Sequence, residues 1–404
     1  MNETRWLLSA FLIVGLGCSR SFRSDDVGAA DAGGRSRSDA GDASAHVGKD
    51  AGGTGEKAID AGRNSADVCT ADLLTDPDNC GFCGHACDGD CTDGLCNFLT
   101  YKANETGGQS ISLDATHVYW PSFEGAVFRC PKTGCKGTPQ AVARDPSVPI
   151  STAVHGSDVL WTTFGYDIVV RPAGTVATCP VTGCIGSATT LATGIMDPGS
   201  LLIEGDTMYF TSGADGVIYQ CPVAGCGLSP RVVVKGLDEP LGLAVRDGTV
   251  YFTDRSAGLL RECALPDCAG GPVDLAVDQK GALGVTVDDV SIYWVNQRGG
   301  EVRRCLRSDC ADTIETIATS QSVPTAIAVD ADGIYWVNQG ASSGSGNGTV
   351  ATCPHSGCPE GPRVLAAHQL GSLDLALDAD RVYWINVGDQ DNDFIGGGVF
   401  SVPK

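Results

Sequence analysis

Seven times between residues 118 and 384 the chain repeats one short apolar-aromatic signature. The copies are Val118-Tyr119-Trp120, Val159-Leu160-Trp161, Met208-Tyr209-Phe210, Val250-Tyr251-Phe252, Ile292-Tyr293-Trp294, Ile334-Tyr335-Trp336 and Val382-Tyr383-Trp384. Their last aromatics are 41, 49, 42, 42, 42 and 48 residues apart. β-Branched and aromatic residues favour extended backbone. Within Gly284–Cys310, Val285–Val287, Val290–Val295 and Glu301–Cys305 read as three successive strands. Arg231–Val234 is an example of the fourth, and Ala326–Val329 of the first. Four short strands repeated about every 42 residues are the pattern of a propeller blade. Glycine is abundant, at 54 residues, and no long amphipathic helical period is visible. The expected fold is therefore all-β: a seven-bladed propeller of four-stranded blades, preceded by a small disulfide-rich module and a disordered tether.

The last repeat stops at Lys404, directly after its third strand. The stretch Phe98–Ala103 precedes the first inner strand and has the character of a fourth strand. It is predicted to complete blade seven and remove an open sheet edge. The expected organisation is a signal peptide over 1–17, a tether over 18–67, a cysteine-rich knot over 68–96 and the propeller over 97–404, with 97–103 as its closing strand.

Six repeats carry two cysteines with four residues between them: Cys130/Cys135, Cys179/Cys184, Cys221/Cys226, Cys263/Cys268, Cys305/Cys310 and Cys353/Cys358. Four of these turns read Cys-Pro-x-x-Gly-Cys. Proline pre-sets the first turn residue and glycine takes the left-handed one. Asp267 and Asp309 stand in the glycine position of blades four and five and are expected to adopt the same conformation. Each pair is predicted to close a disulfide across the hairpin between the third and fourth strands, worth about 2 kcal/mol of chain entropy. Repeat seven aligns Val402-Pro403-Lys404 with Cys130-Pro131-Lys132 and lacks both cysteines.

The N-terminus carries an apolar run, Trp6–Leu16, behind Arg5. Its 11 residues are too few to cross a bilayer and fit an export signal. Gly15-Leu16-Gly17-Cys18 resembles a bacterial lipobox, which implies lipidation of Cys18 after cleavage before it. Ser19 follows, and by the same resemblance points to the outer membrane; an ordinary secretory signal would instead leave a secreted or periplasmic protein. Of 19 cysteines, 18 lie beyond this segment, an even number suited to an oxidising compartment. Ser19–Asp67 is rich in Gly, Ala, Asp and Ser and cannot bury enough apolar surface to offset its chain entropy. Cys69, Cys80, Cys83, Cys87, Cys91 and Cys96 then fall in a segment too small to have a core. Disulfides are favoured over zinc, because Cys80-Gly-Phe-Cys83 has no second CxxC at ribbon spacing. Their pairing stays open among 15 possibilities. The run Asp76–Cys87, DPDNCGFCGHAC, resembles a module of bacterial surface lipoproteins and is similar to plant stigma-specific cysteine-rich proteins. That resemblance implies an extracellular knot with no chemistry of its own. His85 is expected at its surface.

Candidate binding positions come from loop lengths. The span from strand aromatic to cysteine is 10, 11, 11 and 11 residues in repeats one, three, four and five, but 18 in repeat two and 17 in repeat six. In repeat seven it is 18, counted to Val402. Repeats six, seven, one and two are contiguous in a closed ring, so a ligand face is expected there, with Phe164, Tyr166, Asp389, Asp391 and Asp393 as contacts. Asp389-Gln390-Asp391-Asn392-Asp393 is similar to the start of an EF-hand loop, which implies calcium, although Phe394 replaces the glycine. No other cofactor is expected. A net charge of −22 disfavours nucleic acid and anionic lipid surfaces. The repeats resemble the YWTD and NHL propeller classes. Some seven-bladed propellers are lyases or hydrolases, and a streptogramin-lyase-like enzyme using loop-face carboxylates and a divalent metal is the alternative reading. The six histidines form no i, i+2 or i, i+4 pair. The favoured reading is a monomeric, non-catalytic binding lipoprotein of the cell surface, anchored through its lipid, with an envelope protein or glycan as ligand.

Overall fold

The computed structural model describes residues 72–404 except 83, 104–107, 145–146, 165–173, 185, 187, 341–345 and 390–395. Among the described residues every regular element is a strand. Seven four-stranded antiparallel sheets form the blades of a propeller, and a two-stranded ladder, Cys91–Thr92 with Leu95–Cys96, belongs to the cysteine-rich module. We letter the strands of each blade a to d from the channel outward. In blade five these are Ala282–Val287, Ser291–Asn296, Glu301–Leu306 and Glu315–Ala318.

The signature triplets are strand b, and its chemistry follows from its position. Alternate side chains point to opposite faces. In blade one, Val118 and Trp120 pack toward blade seven, whereas Tyr119 packs toward blade two. Both faces of strand b are therefore buried, and Val118, Tyr119 and Trp120 are each 0% exposed. This explains an apolar run where a one-sided sheet would alternate with polar residues.

The ring closes through Leu99–Ala103, which pairs antiparallel with Gly398–Pro403 as strand d of blade seven. The first blade's inner strand, Ser112–Leu113, is the shortest of the seven. Chain entry and exit thus meet in one blade, as the sequence predicts.

All six short disulfides form with the expected partners: Cys130–Cys135, Cys179–Cys184, Cys221–Cys226, Cys263–Cys268, Cys305–Cys310 and Cys353–Cys358. Their Cα–Cα separations lie between 4.8 and 5.7 Å. The placement differs from a bridge between strands c and d. The first cysteine of each pair is on strand c, but the second lies in the turn, before strand d begins. The cystine therefore ties the end of strand c to its own turn. In the four Cys-Pro-x-x-Gly-Cys turns the second cysteines Cys135, Cys184, Cys226 and Cys358 are half-buried, whereas their strand partners are buried. The physical reason is that these turns lean sideways onto strand d of the preceding blade. Cys184 N donates to Val142 O at 2.9 Å and Cys226 N to Leu191 O at 2.8 Å. Cys135 Sγ lies 3.5 Å from Tyr101 O, and Cys358 Sγ 3.5 Å from Ile317 O.

Glycine takes the left-handed conformation in those four turns, at Gly134, Gly183, Gly225 and Gly357. Blades four and five differ from expectation. Asp267 and Asp309 do not adopt positive φ; in blade four the left-handed residue is Cys268 itself, at φ 53°. Moving the reversal by one residue spares the aspartate and still brings the sulfurs together. There Cys268 N donates within its own turn, to Ala264 O at 3.0 Å, and both Cys268 and Cys310 are buried.

Inner strands lock to one another through one repeated position. Ser110, Ser151, Ser200, Gly242, Gly284, Ala326 and Asp374 each lie nine residues before the middle residue of the signature. Ser110 Oγ accepts from Thr152 N at 2.8 Å, Ser151 Oγ accepts from Leu201 N at 3.3 Å, and Ser200 Oγ donates to Leu241 O at 2.5 Å. At Gly242 the neighbouring strand comes so close that an added Cβ would lie 2.0 Å from Leu283 O. Between blades seven and one, Asp374 Oδ2 accepts from Ile111 N at 3.0 Å.

Candidate functional site

Antiparallel strands in sequence order a to d put the a–b and c–d turns at one end of every blade, and the b–c loops and blade-to-blade connections at the other. The stapled turns therefore occupy one face and the three long loops the opposite one. Of the loop contacts expected from sequence, Phe164 follows strand b of blade two half-buried, its N–H donating to Val148 O at 3.1 Å. Asp389 is half-buried beyond strand b of blade seven. Tyr166, Asp391 and Asp393 lie outside the described residues, as do Cys18, the tether, Cys69 and Cys83.

Behind the long loops of blades six and seven, and also in blade five, a side-chain device appears that the sequence reading missed. Gln369 Oε1 accepts from Trp384 Nε1 at 2.9 Å and from Asn386 Nδ2 at 2.8 Å. Gln321 does the same for Trp336 and Asn338, both at 2.9 Å, and Gln279 for Trp294 and Asn296, at 3.0 and 2.9 Å. The glutamine amide then donates back to the carbonyl two residues earlier, as Gln369 Nε2 does to Ala367 O at 2.7 Å. Each triad fixes the blade-to-blade connection to the base of the b–c loop with every buried donor of the set bonded. Its trace in sequence is Trp-x-Asn preceded by glutamine 15 residues before the tryptophan. In blade four the face is held differently: Arg255, 1% exposed, donates to Glu239 Oε1 at 3.1 Å and to Gln297 Oε1 at 2.7 Å.

The described histidines do not converge on the loop face, whereas Asp254, 1% exposed, meets Arg261 there at 3.3 Å. His117, His155 and His355 all sit at the stapled face, each beside its own turn. His117 Nδ1 is 2.7 Å from Thr116 Oγ1, His155 Nε2 is 3.4 Å from Asp206 Oδ1, and His355 Nε2 is 2.6 Å from Asp330 O. Among the described histidines, His368 alone lies toward the loop end, exposed and at φ 59°. Aspartates of the a–b turns serve as turn caps and as acceptors for the signature tyrosines: Asp114 for Tyr119 at 2.6 Å, Asp288 for Tyr293 at 2.8 Å, Asp378 for Tyr383 at 2.8 Å. Burial, with the aspartate beside it, pushes the Tyr293 hydroxyl up to about 12. Asp374 is the one carboxylate of the inner ring position. Desolvation pushes it up to about 6, against the N–H groups of Ile111 and Leu375 that favour its charged form. Among the described residues the one metal-like grouping is Cys80, Cys87 and Cys96, and these sulfurs are committed to disulfides.

The cysteine-rich module pairs Cys80 with Cys91 and Cys87 with Cys96. His85 corrects the surface expectation: it is 2% exposed, stacked on Phe82 at 4.4 Å, with Nδ1 2.6 Å from Cys80 O. The module has few apolar groups, and its rings serve to seat it against the propeller. Arg363 of blade six lies over Phe82 at 4.4 Å, and His85 Nε2 is 3.4 Å from Pro403 O. Every other blade interface includes the short disulfide of its later blade. The interface of blades six and seven instead includes Cys80, Cys91 and Cys96, with Cys87 packed against them. The module thus occupies the seam left without a staple. Between it and blades seven and one lies a cleft of about 690 Å³.

No protein-family model matches the chain, and no curated protein matches its sequence. In backbone it is similar to a solved streptogramin B lyase, with a TM-score of 0.58 and 12% identity over 76% of this chain and 97% of that one. It is equally similar to virginiamycin B lyase from Staphylococcus aureus, at a TM-score of 0.58 and 12% identity, covering 76% and 98%. A histidine-to-alanine variant of that enzyme, solved with quinupristin, is catalytically inactive. The computationally designed Ika8 protein matches at a TM-score of 0.50 and 14% identity, covering 76% and 96%. Identities this low establish the shared propeller fold alone.

Proposed function

We propose that this protein is a non-catalytic binding lipoprotein of the cell surface, anchored at the outer membrane through Cys18. The stretch 18–67 would act as a tether that holds the ring away from the membrane. The long b–c loops of blades six, seven and two would present the ligand face, with Phe164, Tyr166, Asp389, Asp391 and Asp393 as contacts. The ligand is an envelope protein or glycan, and the ring acts as a monomer without nucleic acid. Calcium would be held by Asp389, Asp391 and Asp393.

The observation that carries this reading is the dispersal of the histidines. Three are engaged in turns at the stapled face, and the loop face has one, His368, among the described residues. A general acid or base must reach its substrate within hydrogen-bonding distance, and groups at opposite ends of the blades cannot share one substrate. The triads of Gln279, Gln321 and Gln369 instead support rigid loop bases, which suits recognition.

The test is an immobilised full mature chain probed with cell-wall glycans and envelope proteins, beside a variant whose three long loops are cut to the length of those in blades three to five. Binding should be lost in the variant with melting unchanged. Retained binding would move the site elsewhere, and turnover of quinupristin by the wild type would overturn the non-catalytic reading. Cys18→Ser should shift the protein from the membrane fraction to the soluble one.

A further inference from the structure

The cleft at the seam is a product of the missing staple. In blades one to six a short cystine ties the end of strand c to the c–d turn and packs on the preceding blade. In blade seven strand c ends near Pro403 and strand d arrives from the module, so the two sides of the turn space belong to different parts of the chain. The space between them is lined by the module, the closing strand and the turns of blades seven and one. Its volume lies within the range of about 300–1,000 Å³ common for small-ligand sites.

Phe98 lines this cleft, a ring 41% exposed although its centroid lies 5.7 and 5.2 Å from those of Trp384 and Phe400, each pair near perpendicular. Two ion pairs flank it. Arg381 donates to Asp88 across from the module, and Lys132 lies 3.0 Å from Asp378. Asp380 adds a third, exposed carboxylate. Three carboxylates against two paired cations leave no surplus positive charge for a phosphate or carboxylate ligand. A bulky cation would meet Lys132 and Arg381. A ligand suited to such walls supplies donors and acceptors in equal measure without net charge, and turns an apolar C–H face to an aromatic ring.

We propose that the seam cleft binds a neutral saccharide of one or two residues. Its ring C–H face lies on Phe98, its hydroxyls donate to Asp380 and Asp88, and they accept from Arg381 and Lys132. The site is on the face opposite the long loops and does not depend on the loop-face reading.

Saturation-transfer NMR and calorimetry on the full mature chain, with maltose and N,N′-diacetylchitobiose as probes, decide it. At least one probe should bind, and both Phe98→Ala and Asp380→Ala should weaken it by about tenfold or more, the loss expected for removing one good contact. Asp380 is exposed, so its variant keeps the fold even if Phe98→Ala loosens the seam. Absence of transfer from both probes at millimolar concentration overturns the proposal. So does binding that survives Asp380→Ala unchanged. Binding lost on shortening the long loops but kept in the seam variants would place the saccharide on the loop face, overturning this site while leaving the loop reading intact.

Discussion

Breaking the module's disulfide Cys87–Cys96 should loosen the whole ring, because that cystine sits where blade seven lacks a staple. The perturbation is the double variant Cys87→Ser/Cys96→Ser, compared with Cys130→Ser/Cys135→Ser in blade one. Loop-closure entropy for a separation of 9 residues amounts to about 2.6 kcal/mol, and for a separation of 5 to about 2 kcal/mol. Cys96 is 3% exposed, so its serine hydroxyl enters an apolar seam and adds about 1 kcal/mol. The module variant should therefore lose about 3.5 kcal/mol, and the blade-one variant about 2–3 kcal/mol, since Cys130 is buried as well while Cys135 is only half-buried. At about 2.1 cal/mol/K per residue, a folding unit of about 330 residues has a melting entropy near 0.7 kcal/mol/K. The expected drops are about 5 °C and about 3–4 °C. Differential scanning calorimetry measures both, and limited proteolysis reports whether the closing strand Leu99–Ala103 becomes cleavable. Two results would refute the reasoning: a small separate transition lost while the main one stays within about 1 °C, or a closing strand as protected as in the wild type. Either would mean that the module rests on the propeller without holding it shut.

Two further outcomes follow from single residues. Gln369→Leu strips the acceptor from Trp384 Nε1 and Asn386 Nδ2, and with about 1–3 kcal/mol for each buried group left unpaired, chemical denaturation should show a loss of about 2–6 kcal/mol; a loss under about 0.5 kcal/mol would show the triad to be incidental. Asp374 has a carboxyl raised to about 6, so its contribution favours the folded state below the ordinary value of 3.8 and is lost as pH rises to about 6. Relative to wild type, Asp374→Asn should thus gain stability between about pH 4 and 6.5, and melting curves that stay parallel across that range would contradict it.

The repeat is legible in the sequence because every blade solves the same packing problem. Strand b is buried on both faces, so its aromatics recur in step with the blades, and the closing strand is legible because one blade is a strand short. The cystine partners follow from spacing, but their placement does not. Cys135, Cys184, Cys226 and Cys358 sit in turns that rest on a neighbouring blade, and a pattern read within one blade cannot show that neighbour. At Asp267 and Asp309 the glycine pattern misleads as well, because in blade four the hairpin reverses one residue later. The Trp-x-Asn and glutamine triads leave a trace, but a polar residue 15 positions from a tryptophan carries no period that a strand pattern reveals. His85 escapes for a related reason: read within its own segment it has no core to enter, and it is buried only because blades six and seven supply one.

Sequence alone determined the number of blades, the strand order and the partners of the six short cystines, since each depends on residues close along the chain and on a period repeated seven times. Only the folded ring decided that Asp374 would meet Ile111, that the module would seat between blades six and seven, and that a cleft would remain beside it. Two of those contacts join residues 263 and 318 positions apart, Asp374 with Ile111 and His85 with Pro403. They exist because closing a circle brings the first and last segments of the propeller to one seam, and no local pattern encodes what those segments will find there.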